Sequence, residues 1–182
     1  MFRSKEFYRR QLFGWRCIFF FLWCLLLLPF AASAEDALIG SGFFEDPSSA
    51  LTVDDVQSAA IDARFMPFAG ILNRGYSSSA FWLKLEIQAS SSRNQSSDLL
   101  ARGYSNSYIL RILPSYLDEI ALYDPMETSK TVRFVGDQYP VPRNEYRSLN
   151  HNFTIMLAER PRTVWLRLKT SSTSMIKVSF VV

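Results

Sequence analysis

The sequence predicts an all-β domain, an antiparallel jelly roll or β-sandwich, with one short helix near its start. Three observations carry that reading. Period-2 alternation of apolar and polar residues recurs through residues 80–180. Sustained helical periodicity is missing from the same stretch. Proline, glycine, serine and asparagine punctuate the apolar runs at short intervals, so about seven strands are expected rather than a layered α/β fold.

The first segment stands apart. Residues 1–34 hold Arg3, Lys5, Arg9, Arg10 and Arg16 against one acid, Glu6, and then the apolar run from Cys17 to Leu28. Ala31-Ala32-Ser33-Ala34 follows, a small-residue site of the A-x-A kind. A basic stretch, an apolar core of about a dozen residues and such a site describe a secretory signal peptide, too short to span a bilayer comfortably. The expected organisation is a signal peptide over 1–34 cleaved after Ala34, a linker over 35–41 and a periplasmic β-sandwich over 42–182. An uncleaved anchor is the alternative, which would leave the chain membrane-associated. No second apolar run of spanning length precedes Val182.

Charge and thiol content narrow the function. The chain carries 20 basic and 17 acidic residues. Once the first 34 are set aside, 15 basic and 16 acidic remain, so nucleic acid is not an expected partner. Both cysteines, Cys17 and Cys24, lie in the signal segment, and His151 is the only histidine. A Cys nucleophile, a disulfide framework and a Cys/His metal site are excluded, and no metal or cofactor is expected.

Taken in order, the domain opens with Thr52 followed three residues later by Asp55, a capping-box pattern that predicts a helix over about Val53–Ala60. Phe81–Ile87 alternates almost perfectly as a strand. Tyr108–Leu113 and Glu119–Tyr123 follow, divided by Pro114-Ser115, and Thr131–Val135 stops at Gly136-Asp137. Phe153–Leu157, Val164–Lys169 and Met175–Val181 complete the set. Ser90–Ser97 is a polar low-complexity loop, and Tyr139–Tyr146 is a proline-punctuated aromatic one. Arg74-Gly75-Tyr76-Ser77 recurs as Arg102-Gly103-Tyr104-Ser105, with nothing else continuing the period.

An ordered set of segments resembles a known family over roughly Gly42–Val182. It runs from Phe43-Phe44-Glu45-Asp46-Pro47 and Leu51-Thr52-Val53-Asp54-Asp55-Val56 to Gly75 and Phe81-Trp82-Leu83-Lys84-Leu85. Tyr116–Tyr123, Gly136-Asp137, Pro140, Arg143 and Val164-Trp165-Leu166-Arg167-Leu168 complete it. This order is similar to the type 2 extracellular domain of bacterial seven-transmembrane receptors with diverse intracellular signalling modules (7TMR-DISM). The resemblance implies a periplasmic jelly-roll sensor resembling carbohydrate-binding modules, in a family where it usually precedes a seven-helix membrane region and a diguanylate cyclase or histidine kinase output. That membrane and signalling module is an expected partner outside this sequence, which is expected to be either a fragment of such a receptor or a stand-alone exported copy of its sensor.

No enzymatic constellation is legible. A Ser-His-Asp triad would have to use His151, which sits at a strand edge. Glu45/Asp46 and Asp54/Asp55 are adjacent pairs whose side chains diverge, so neither flanks one glycosidic bond. The domain is therefore expected to bind a carbohydrate or small anionic ligand without catalysis. A protein-interaction or structural role with no small ligand is the alternative.

Two candidate sites follow. Residues 81, 83, 85 and 87 share an apolar face, so Trp82 lies opposite with Lys84. By the same alternation Trp165 lies with Arg167, opposite Val164, Leu166 and Leu168. If the two strands are neighbours, these four side chains form a basic aromatic patch, suited to a sugar or an anionic saccharide rather than a lipid or a metal. Covering loops would make the rings mere packing elements. The second candidate is the proline loop with Asp137, Tyr139, Arg143 and Tyr146, where Arg143 could hold a carboxylate or simply pair with Asp137.

Overall fold

The computed structural model describes residues 37–89, 107–127, 132–140 and 146–181. The signal segment, its cleavage point and both cysteines, the loop 90–97, the echo at Arg102–Ser105 and Arg143 lie outside the described residues.

The fold is a sandwich of two antiparallel sheets. In chain order the described elements are β1 (Leu38–Asp46), α1 (Val53–Gln57), α2 (Ala59–Asp62), β2 (Met66–Pro67), β3 (Ile71–Tyr76) and β4 (Ala80–Ile87). β5 (Ser107–Leu113), β6 (Glu119–Tyr123), β7 (Arg133–Val135), β8 (His151–Met156), β9 (Arg162–Lys169) and β10 (Thr173–Val181) follow. One sheet has the order β2-β1-β4-β9-β6-β7, and the other β3-β10-β5-β8.

The alternation read from the sequence fixes the core. Phe81, Leu83, Leu85 and Ile87 point inward from β4, beside Val164, Leu166 and Leu168 of β9 and Ile120 and Leu122 of β6. The opposite wall comes from Leu110 and Ile112 of β5, Phe153 and Ile155 of β8 and Ile176, Val178 and Phe180 of β10. Each such side chain contributes about 1.5–3 kcal/mol on burial.

The expected strands are present with slightly shifted ends, and β1, β2 and β3 are additional. The expected helix is two short ones. Thr52 and Asp55 form the capping box, with the Asp55 carboxylate accepting from the Thr52 amide at 2.8 Å and the Thr52 hydroxyl accepting from the Asp55 amide at 3.3 Å. Ser58 takes an extended ψ of 143° and divides α1 from α2.

Strand directions sort the connections onto two ends. Asp46 pairs with Ala80, Phe81 with Leu168, Glu119 with Lys169, and Thr173 with Tyr76. The segments 47–50, 77–79, 114–118, 136–140, 146–150 and 170–172 therefore gather at one end, called here the loop end. Leu38 pairs with Ile87, Ile87 with Arg162, and Val181 with Ile109, at the opposite end.

Candidate functional site

The first sequence-chosen patch is assembled, but not as an open platform. β4 and β9 are neighbours in register, with Trp82 opposite Arg167 and Lys84 opposite Trp165. Both indoles do lie on the face away from the main core. There the segment bearing α1 and α2 covers them, and Trp82, Phe44 and Val56 form a second buried cluster with Leu51, Val53, Ile61, Phe65, Tyr123 and Trp165 packed around it. Trp82 is 0 % exposed and lies 5.5 Å from the Tyr123 ring, so no ligand can stack on it in this conformation.

The two cations of that patch are engaged internally. The Lys84 ammonium donates to Asp62 of α2 at 2.6 Å. The Arg167 guanidinium donates to Glu119 at 2.6 Å and to the Ser49 carbonyl at 3.0 Å. Trp82, Lys84 and Arg167 thus hold a cover onto the sheet; the expected basic patch is corrected to a packing and clamping face. Of the two indoles only Trp165 keeps partial exposure, bordering a hollow of about 310 Å³ with Tyr123, Asp54 and Asp124.

The second sequence-chosen group lies at the loop end. Asp137, Tyr139 and Tyr146 line a single cavity of about 400 Å³ together with Tyr116, His151 and Asn152. Gly136 starts the turn that delivers Asp137 and Tyr139, with φ at +140°, and the Asp137 amide donates to the Leu117 carbonyl at 2.9 Å. Tyr139 stacks on Phe134 at 5.2 Å and donates its hydroxyl to Glu119 at 2.9 Å. Burial pushes the His151 imidazole below its ordinary range, against a hydrogen bond to the Ser115 backbone and the nearby Asp137 charge. His151 Nε2 is buried and has no hydrogen-bond partner among the described residues.

A larger cleft of about 730 Å³ lies on the other side of the segments 114–118 and 136–140. Sequence reasoning missed it. Tyr76, Ser78, Asp118, Glu119, Gln138 and Lys169 line it, with Thr170 and Ser171. Tyr76 is 82 % exposed because of a β-bulge. Leu72 points inward, so strict alternation would turn Tyr76 inward as well. Between the pairs Asn73–Met175 and Tyr76–Thr173, however, β3 carries two residues against one in β10. Gly75 takes φ +67° there, the left-handed conformation that such a bulge uses, and the extra residue reverses the parity. The isolated glycine in Asn73-Arg74-Gly75-Tyr76 was the available signal.

With both clefts placed at one end of a jelly-roll-like sandwich, the comparison with known families decides the lineage. A family model described as 7TMR-DISM extracellular 2 matches residues 40–181. The chain belongs to that family. As a 7TMR-DISM extracellular 2 domain it is an extracellular sensor domain of seven-transmembrane signalling receptors. No curated protein matches the chain. No helix among the described residues is long and apolar enough to cross a membrane. The segments that carry the resemblance supply much of the interior, including Leu83, Leu85, Leu117, Ile120, Leu166 and Leu168.

Proposed function

We propose that this domain is the periplasmic ligand-sensing module of a membrane signalling receptor, exported by residues 1–34 with release after Ala34. It takes a carbohydrate or small anionic ligand at its loop end and performs no catalysis. The observation that carries this reading is the cavity where Asp137, Tyr139 and Tyr146 converge with Tyr116 and His151. Aromatic faces beside a few polar groups are the usual lining of a small-molecule site, and about 400 Å³ falls within the range such sites occupy. Arg143, in the loop between Tyr139 and Tyr146, is the cation assigned to an anionic group.

The test is thermal unfolding of the protein against a series of oligosaccharides and small anions, since a ligand of the folded state raises the melting temperature by mass action. Tyr146→Ala and Asp137→Asn should each abolish the rise produced by a ligand of this cavity. If no compound raises it, the small-ligand reading is wrong. A partner-binding role then takes its place, favoured by Leu149 and Tyr146, which are 92 % and 52 % exposed on the rim of this cavity.

A further inference from the structure

We infer that the larger cleft at the loop end, the one bearing Tyr76 and Lys169, is a separate subsite for an uncharged, hydroxyl-rich ring such as a neutral sugar unit. The inference shares with the sensing role above the premise of a small ligand, but it uses none of the residues assigned there.

The first support is the way Tyr76 is displayed. The bulge at Gly75 turns the ring away from the core, where alternation would have buried it, and leaves it 82 % exposed at the mouth of the cleft. Bulges of this kind recur where a strand re-aims one side chain beside a functional site. An aromatic ring presented to water in this way is an apolar platform with a polar tip, suited to the C–H face of a ring that is hydroxylated at its edge.

The second support is which polar groups remain unused. Both oxygens of Glu119 are occupied, one by Arg167 and one by Tyr139. Asp118 accepts the Ser171 amide at 2.6 Å through one oxygen, and its other oxygen has no partner among the described residues. Lys169 makes no ion pair among the described residues and is exposed beside Glu119. The cleft therefore offers a free ammonium, a free carboxylate oxygen, the Gln138 amide and the hydroxyls of Ser78 and Ser171. Donors and acceptors are mixed, and each sugar hydroxyl can serve as both.

The third support is the charge balance, which selects among ligands. Arg167 neutralises Glu119, and Lys169 and Asp118 remain in the cleft lining as one charge of each sign. An anion attracted by Lys169 would also meet the Asp118 carboxylate, so the field of the cleft gives it no net advantage. A lipid tail would find one aromatic ring and otherwise polar walls. Among the described residues no cluster of acids or histidines is arranged to hold a metal ion.

The experiment is saturation-transfer NMR on the protein with maltotriose, cellotriose and chitotriose as neutral probes, trigalacturonate as the anionic one and glutamine as a zwitterion. At least one neutral trisaccharide should bind, with transfer strongest at its ring C–H protons. Tyr76→Ala should weaken that binding by roughly 5- to 150-fold, the loss seen when one aromatic stacking platform is removed. The ring is exposed, so the melting temperature of this variant should stay within about a degree or two of the parent; Gln138→Ala is the second variant, with a smaller expected loss. Tyr76→Ala should leave unchanged any rise in melting temperature that an anion produces at the Tyr146 cavity, which separates the two clefts. No binding by any neutral probe, tighter binding of trigalacturonate or glutamine, or insensitivity to Tyr76→Ala overturns the inference. A sugar signal lost with Tyr146→Ala instead returns the ligand to the smaller cavity and leaves the sensing role intact.

Discussion

Tyr139 and Arg167 grip opposite oxygens of one carboxylate, that of Glu119, at 2.9 and 2.6 Å. The phenol belongs to the wall between the two clefts, and the guanidinium reaches on to the Ser49 carbonyl beside the helical cover. Loop end and outer sheet face are thereby tied through a single residue of β6. Hydrogen bonds to an ionised group are stronger than neutral ones, so Glu119 is a firm tie between these two parts of the domain.

Replacing Glu119 by Gln tests that tie. The hydrogen bond to Glu119 holds the Tyr139 phenol above its ordinary 10, with burial and the carboxylate charge acting in the same direction and Arg167 opposing them. In the variant the Tyr139 titration should move down toward 10, read by phenolate absorbance or tyrosine NMR. A titration unchanged from the parent would mean that the phenol is not bonded as described.

The two tryptophans should respond differently to truncation. Trp82 is fully buried under α1, so Trp82→Ala should cost about 3–5 kcal/mol in denaturant unfolding. Trp165 is partly exposed at the hollow beside Tyr123, and its loss should be clearly smaller. Equal and small losses would return both rings to the solvent face that alternation alone allows.

Gly136 is required by geometry rather than by flexibility. Its φ of +140° is a conformation that side chains disfavour, and a Cβ there would stand 2.2 Å from the Asp118 carbonyl oxygen. Backbone strain of that kind costs on the order of 1–3 kcal/mol before the clash is counted. Gly136→Ala should lower the melting temperature and displace Asp118 and Asp137 together, impairing both clefts. A parent-like melting temperature would contradict the turn described here.

The single histidine sets a pH dependence. Burial holds His151 below its ordinary 6.5 in the folded chain, so the unfolded state takes up a proton first as the solution is acidified. Stability should be fully present above about pH 6.5 and fall as pH is lowered toward the folded value. His151→Gln should flatten that part of the stability profile. An identical slope in the variant would assign the effect to other groups.

The legible part of this fold was the part with one buried face. β4, β9 and β10 alternate because one side of each strand fills the core between the sheets, and for β4 and β9 the sequence reading assigned that apolar face correctly. β1 stayed hidden because Phe43 enters the main core while Phe44 enters the cluster under α1, and Gly40 and Gly42 interrupt the pattern. β3 buries little beyond Leu72 and carries the bulge, so it offers no period at all. The Trp82 platform failed for a related reason: a polar flank says which face a residue is on, and only the tertiary fold says what lies over that face. Asp137, Tyr139 and Tyr146 could be singled out because loop residues of that chemistry declare themselves locally, and the fold brings them to one cavity. Tyr76 was not, because its display depends on a register shift against β10.

The sorting of connections onto two ends has a practical consequence. β1 enters and β10 leaves at the end opposite the clefts, and a nine-residue strand such as β10 extends about 30 Å. A tether, label or solid support attached beyond Leu38 or Val181 would therefore hold the domain with both clefts turned outward. Surface-immobilised binding assays on this domain should then report the same affinities from either attachment point.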